Sequence, residues 1–301
     1  MVQYVALVMN GIVMAAFALV MYPHAKVAAD RIGEVMDADM MTETTKENMT
    51  EDITFAGDIR MENVTFRYED ADVAAVSDIS LHIAAGQKIA VIGGTGSGKS
   101  TLVQLLMAFR LPTEGKIYFD GRDAATLSRR TIRQNISCVL QRAGIYSGTI
   151  RENIAMGKPG ASNEEIMKAA EAAQMADYIK AQPDGLEHRL EQAGKNLSGG
   201  QKQRVSIARA ILKNAPIYLF DDSFSALDFM TEAKLRRALA EKAAGRTQIV
   251  VTQRVTSAMN SDRIFVMDGG RLVGAGTHAE LLEHCEVYRE IYFSQTGGER
   301  R

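Results

Sequence analysis

The sequence predicts an α/β domain preceded by a single apolar helix long enough to cross a membrane, and three observations carry that reading. From about Asp58 onward, short β-branched runs alternate with longer helical patterns. A glycine-rich stretch, Gly93-Gly94-Thr95-Gly96-Ser97-Gly98-Lys99-Ser100, falls between a strand pattern and a helix pattern. Residues 2–22 contain no formal charge. The 301 residues carry 35 basic and 37 acidic side chains, a net charge of −2, with 46% apolar and 24% charged residues. That balance supports a packed core and argues against a disordered chain. With no positive excess to displace counterions, nucleic acid is not the expected partner. Cys138 and Cys285 lie far apart with no C-x-x-C or Cys/His spacing. This argues against a disulfide scaffold or structural zinc and fits a reducing interior.

The amino-terminal run comes first along the chain. Between Val2 and Tyr22 only Gln3 and Asn10 are strongly polar. At 1.5 Å per residue the helix spans roughly 31 Å, close to a bilayer's hydrocarbon thickness. A secretory signal would start with Lys or Arg and have a shorter apolar stretch. Lys26 and Arg31 follow the run and no basic residue precedes it, so the carboxyl side is expected in the cytoplasm. Pro23 punctuates the pattern. Residues 26–37 then resume helical spacing with Val27, Ile32, Val35 and Met36 among charges. The polar, Thr- and Glu-rich stretch after Asp37 reads as a linker.

The glycine-rich stretch matches G-x-x-x-x-G-K-[ST] completely. Lys88-Ile89-Ala90-Val91-Ile92 reads as a buried strand before it. Residues 100–109, with Leu102, Val103, Leu105, Leu106 and Phe109 apolar, read as a helix after it. Glycines let backbone N–H groups turn inward as an anion nest at the helix start, where Thr101 follows the motif. Lys99 supplies positive charge to a nucleotide's β- and γ-phosphates, and the Ser100 hydroxyl can ligate Mg²⁺. A carboxylate from a nearby strand completes such a site. Ile217-Tyr218-Leu219-Phe220 is an apolar run ending in Asp221-Asp222, and Asp221 is the expected metal partner.

Leu197-Ser198-Gly199-Gly200-Gln201 stands upstream of that strand. Alone it could be a turn and helix cap. Together with the phosphate loop and Asp221 it resembles the signature of ATP-binding cassette proteins. The helix from Gln201 to Lys213 is expected to present Ser198, Gly199 and Gly200 as bare N–H donors, a second anion site. In that family two cassettes pair head to tail, so this second site serves the partner's ATP. The resemblance covers roughly residues 58–296 and implies further assignments. Tyr68 matches the aromatic that stacks on adenine. Gln141, closing Ser137-Cys138-Val139-Leu140-Gln141, matches the glutamine that reaches Mg²⁺ and senses the membrane domain. Ser225-Ala226-Leu227-Asp228 resembles the loop that couples the two sites, and residues 149–154 resemble an exporter-type segment.

The implied fold is a P-loop NTPase cassette with a RecA-like α/β core, an antiparallel β subdomain and a helical subdomain. Residues 1–41 are then the last transmembrane helix of an exporter half and its cytoplasmic extension, 42–57 a linker, 58–296 the cassette and 297–301 a tail. The expected partners are a second half-transporter, the membrane and the remaining transmembrane helices. The expected location is integral to the cell membrane with the cassette on the cytoplasmic side.

Three positions depart from the family pattern. The general base is a glutamate where this chain has Asp222, shorter by one methylene. A histidine that contacts the γ-phosphate is replaced by Gln253, which donates a hydrogen bond but carries no charge. Gln192 stands where many exporters have a glutamate. With Lys99 and the signature intact, the resemblance is to the weak-site half of a heterodimeric multidrug-type exporter. Lys99, Gln141, Asp222 and Gln253 are then the catalytic residues of a site that hydrolyses ATP slowly, while Ser198-Gly199-Gly200-Gln201 completes the partner's site. The rival readings are a homodimeric exporter with a slower base, an ATP-gated clamp without significant hydrolysis, and a soluble cassette. The charge-free run argues against the last.

Overall fold

The computed structural model of the chain describes residues 2–37 and 53–297. Two compact units divide between residues 48 and 49. Among the described residues the first consists of one helix, α1 (Val2–Asp37), 36 residues long with Pro23 inside it. Its best 18-residue window has a mean hydropathy of 2.2 and no buried residues, which makes Gln3–Met36 a candidate membrane span by length and composition. The break expected at Pro23 is absent, because the helix continues through it. Proline lacks an N–H, so the Leu19 carbonyl loses its intrahelical partner there, a cost tolerated more often in membrane helices than in soluble ones.

The second unit runs β1 (Ile59–Phe66), β2 (Val76–Ile83), β3 (Lys88–Ile92), α2 (Lys99–Leu106), β4 (Glu114–Phe119), β5 (Arg122–Asp123), α3 (Arg129–Gln134) and β6 (Ile136–Val139). It continues through β7 (Gly148–Thr149), α4 (Ile150–Ala155), α5 (Asn163–Ala172), α6 (Ala176–Lys180), β8 (Arg189–Leu190), α7 (Gly199–Lys213) and β9 (Ile217–Asp221). It closes with α8 (Phe229–Lys242), β10 (Thr247–Thr252), α9 (Val255–Ala258), β11 (Arg263–Asp268), β12 (Arg271–Gly276), α10 (His278–His284) and α11 (Glu286–Thr296).

A six-stranded sheet of order β12-β11-β3-β10-β9-β6 forms the centre. Its strands are parallel from β11 through β6, and β12 adds antiparallel to the edge. Both faces are covered, which explains the near-continuous apolar runs of its strands. Alternate side chains therefore enter different cores. Ile89, Val91, Ile217, Leu219, Ile249 and Val251 face one core, shared with α2 and the antiparallel sheet β2-β1-β4-β5. Tyr218, Phe220 and Val250 face a second, shared with α4, α5, α6 and α7. Ala90, Ile92, Ile264 and Val266 face a third, closed by Leu281, Cys285 and Tyr288. The central sheet, the antiparallel sheet β2-β1-β4-β5 and the helices α4, α5 and α6 correspond to the expected α/β core, antiparallel subdomain and helical subdomain.

Residues 42–52 of the expected linker lie outside the described residues, but 53–57 are bound into the second unit. Phe55 is 3% exposed and stacks on Phe119 with ring centroids 5.4 Å apart. The Asp120 carboxylate accepts the backbone N–H groups of Ala56, Gly57 and Asp58 at 2.5, 3.1 and 2.9 Å. Packing thus begins before residue 58. At the other end α11 stops at Gly297, a left-handed cap with φ 68°, and the remainder of the expected tail lies outside the described residues.

Candidate active site

The sheet order decides what meets. Loops leaving the carboxyl ends of β3, β10, β9 and β6 converge, the usual ligand crevice of an open parallel sheet. They line one cavity of about 310 Å³ that contains Thr95, Gly96, Gly98, Lys99, Ser100, Thr101, Gln141, Asp221, Asp222 and Gln253. Strand β10 lies between β3 and β9, so Asp221 reaches the cavity from two strands away, not from a strand directly beside the phosphate loop.

The loop's glycines have separate jobs. Gly96 and Gly98 hold φ of +80° and +96°, conformations that side chains rarely adopt. A Cβ on Gly98 would also come within 2.7 Å of the Ala75 carbonyl. Gly93 is packed so that a Cβ would collide with the Met267 carbonyl and the Ser97 hydroxyl, while Gly94 and Gly96 face open space. The helix α2 that follows has no side-chain cap at Gly98, so its first-turn N–H groups are left for an anion. Lys99, 8% exposed, donates to the Gly93 carbonyl at 2.8 Å, the Gly94 carbonyl at 2.6 Å and Ser97 Oγ at 3.1 Å. Burial lowers its pKa, while the carboxylates of Asp222 and Asp221 pull it back up.

Asp221 ends β9 and is 8% exposed. Burial pushes its pKa up, the adjacent Asp222 charge adds to the rise and Lys99 opposes it. Asp222 takes φ 44°, donates its N–H to the Val251 carbonyl at 2.8 Å, and starts a turn in which Ser225 Oγ donates to the Asp222 carbonyl at 2.8 Å. Burial raises its pKa as well, against the positive charges of Arg254 and then Lys99. A carboxylate made more basic in this way is a better proton acceptor near neutral pH. Ser100, Gln141 and Asp221 bring a hydroxyl, an amide and a carboxylate to one cavity, a set of hard oxygen donors that fits Mg²⁺ beside phosphate oxygens.

Gly93, Gly94 and Ser97 belong to the phosphate loop but do not line the cavity, and two further groups of expected site residues lie elsewhere. Tyr68 sits just past β1 and does not line the cavity. Its hydroxyl donates to Gln104 Oε1 at 3.3 Å and lies 3.4 Å from Thr101 Oγ1, and its ring meets Phe66 edge to face at 4.9 Å. Contacts to α2 therefore fix the ring next to the phosphate loop. The signature also lies outside the cavity of its own chain. Its amides are only partly bare: Ser198 Oγ accepts the Gln201 N–H at 3.2 Å and Gln201 Oε1 accepts the Ser198 N–H at 2.7 Å, a reciprocal capping box. Only Gly199 and Gly200 keep first-turn N–H groups without an intrahelical acceptor.

Sequence reasoning missed the residues that hold the loops. Gln203, 4% exposed, donates from Nε2 to the Gln141 carbonyl at 2.7 Å. Arg209 donates to the Gly144 carbonyl at 3.0 Å and the Asn153 carbonyl at 2.8 Å. Arg254 reaches the Ser225 carbonyl at 3.1 Å. For Gln203 and Arg209 the one available signal was polar side chains within the amphipathic α7, which does not name their acceptors, and for Arg254, just before α9, there was none.

A P-loop nucleotide-binding cassette is the class that this fold and cavity define. The ABC transporter family profile matches residues 76–225, and the chain carries the ATP-binding domain of that family. An uncharacterized ABC transporter ATP-binding protein of Bacillus subtilis, YfiB, is 41% identical over 298 residues, covering 99% of this chain and 51% of the relative. A putative multidrug export ATP-binding/permease protein of the same organism, YgaD, is 40% identical over 252 residues, covering 84% and 43%. An ATP-dependent lipid A-core flippase of Ralstonia nicotianae is 42% identical over 239 residues, covering 78% and 40%. Among solved structures, a bacterial Atm1-family ABC exporter with ATP bound superposes with a TM-score of 0.86 at 34% identity, covering 93% of this chain and 48% of that one. The chain spans about half the length of the curated relatives it matches.

Proposed function

We propose that the chain is the ATP-hydrolysing part of a membrane exporter, in which α1 belongs to the transmembrane domain and the cassette works on the cytoplasmic side. One observation carries the reading. The cavity gathers Lys99, Ser100, Gln141, Asp221 and Asp222, while Ser198, Gly199 and Gly200, at the start of α7, do not line it. A single chain thus holds one complete phosphate cradle and one half of a second. Pairing two cassettes head to tail would seal each triphosphate between the loop of one and the signature of the other. The cradle amides and Lys99 bind the phosphates, and Ser100, Gln141 and Asp221 would hold Mg²⁺, which supplies charge neutralisation at the β- and γ-oxygens. Asp222 accepts the proton of the attacking water, and Gln253 donates a neutral hydrogen bond near the γ-phosphate.

The shortened base and the uncharged Gln253 support a slow site of its own and a faster site on a different partner chain. Two relatives' printed names, a putative multidrug export protein and a lipid A-core flippase, support export of drugs or lipids as the work done. In the membrane complex isolated with its partner, Ser198→Arg is expected to remove most ATP turnover, and Lys99→Ala to leave most of it. Equal loss from the two substitutions would overturn the asymmetry and point to a homodimer.

A further inference from the structure

From the geometry we infer that Gln295, near the end of α11, is a positioning residue for the loop that carries Gln253 into the ATP cavity. This rests on the ATPase reading above and adds a residue that neither the motifs nor the cavity lining names. Gln295 Nε2 donates to the Gln253 carbonyl at 2.7 Å, and Gln295 Oε1 accepts the Val255 N–H at 2.9 Å. One acceptor and one donor together fix which way round the amide sits.

The clamp fills a local gap. Helix α9 begins at Val255 with Arg254 as its N-cap residue, and Arg254 provides no side-chain cap. Its guanidinium instead reaches the Ser225 carbonyl at 3.1 Å and Glu232 at 3.5 Å. A Ser, Asp or Asn at 254 would cap the helix locally, as happens at most helix starts. Here the cap comes from a side chain 40 residues away. Packing brings α11 to this place, since Tyr288 shares the third core with Val255 and Ala258, and Ile291 and Tyr292 pack against it. Gln295 itself is exposed, so burial does not require its two bonds. What they hold is the exit of β10, whose next residue, Gln253, lines the same cavity as Lys99, Asp221 and Asp222. A shift of about 1 Å in a group near the reacting phosphate costs on the order of 100-fold in rate, so an exposed amide here has catalytic consequences far beyond its share of stability.

The test compares Gln295→Ala and Gln295→Glu with the unmodified full chain in its membrane complex. It reads hydrogen exchange over residues 253–258, protection of residues 93–100 by Mg-ATP, and kcat and KM. The alanine variant loses both bonds. Exchange over 253–258 is expected to rise about fivefold, the factor that one hydrogen bond's net worth gives. Its kcat should fall at least about fivefold with KM within about twofold, and ATP protection of 93–100 should persist. The glutamate variant keeps an acceptor for Val255 but sets a carboxylate oxygen against the Gln253 carbonyl. Its exchange over 253–258 should stay near that of the unmodified chain while kcat falls as in the alanine variant. Unchanged kcat in both variants would overturn the inference, and so would a kcat loss that tracks loss of protection at 93–100. If the unmodified complex protects 93–100 yet releases no phosphate, the hydrolysis reading fails separately. The exchange at 253–258 then decides, and an alanine variant with unaltered exchange overturns the clamp.

Discussion

Replacing Asp222 by glutamate and Gln253 by histidine together tests the proposal that this site hydrolyses slowly because its base is short and Gln253 carries no charge. One added methylene extends the carboxylate by about 1.5 Å, one C–C bond. A misplacement of about 1 Å is worth on the order of 100-fold, or about 2.7 kcal/mol of barrier, so the double variant should gain one to two orders of magnitude in turnover. The backbone sets an opposing cost. Asp222 sits at φ 44°, a left-handed conformation that aspartate adopts more readily than glutamate. Glutamate there should lose about 1 kcal/mol of stability, seen as a fall of about 2–4 °C in thermal midpoint for a domain of this size. The assay is phosphate release by the membrane complex with the partner's site disabled, beside calorimetric ATP binding. A double variant that binds ATP and stays within about threefold of the parent rate would refute the argument from reach and charge.

Other expectations follow from single contacts. Gly98→Ala meets both a φ of +96° and the Ala75 carbonyl, so it should lose about 1–3 kcal/mol of stability and most of its ATP affinity. Gly94→Ala, with open space around its Cβ, should melt like the parent in the same thermal scan. The proposed base Asp222 would work ionised, so turnover should rise with pH through its raised pKa. Arg254→Ala removes the positive charge that opposes that rise and should move the acid limb of the rate profile to higher pH, whereas a shift to lower pH would contradict the assignment. Burial, aided by the Asp221 charge, pushes the Cys138 thiol up to about 12. It should stay unmodified by iodoacetamide at pH 8 in the native protein and react only on unfolding, and mass spectrometry of the native chain would show otherwise at once.

What the sequence revealed was chemistry written in neighbouring residues. The phosphate loop is legible because Gly96 and Gly98 need left-handed backbone and Lys99 follows them directly. Strands β3 and β9 are legible because burial on both faces leaves unbroken apolar runs, with boundaries correct to a residue. Strand order is a property of topology, so the insertion of β10 between β3 and β9 has no local sign. Ser198 and Gln201 spell a capping box, and the structure forms it in both directions. Gln203 and Gln295 were invisible because each binds a backbone group 40 or more residues away, and no periodicity marks such a pair. The uninterrupted course of α1 through Pro23 was misjudged because proline's rule is strictest in water, and this helix is apolar over most of its length.

Calorimetric titration of Mg-ATP into the folded chain and into its Lys99→Met variant tests the phosphate cradle most directly. The cradle predicts one nucleotide per chain for the parent and affinity at least tenfold weaker once the ammonium is gone, a difference of about 1.4 kcal/mol or more. No heat of binding from well-folded parent protein, or equal affinities for the two, would contradict it.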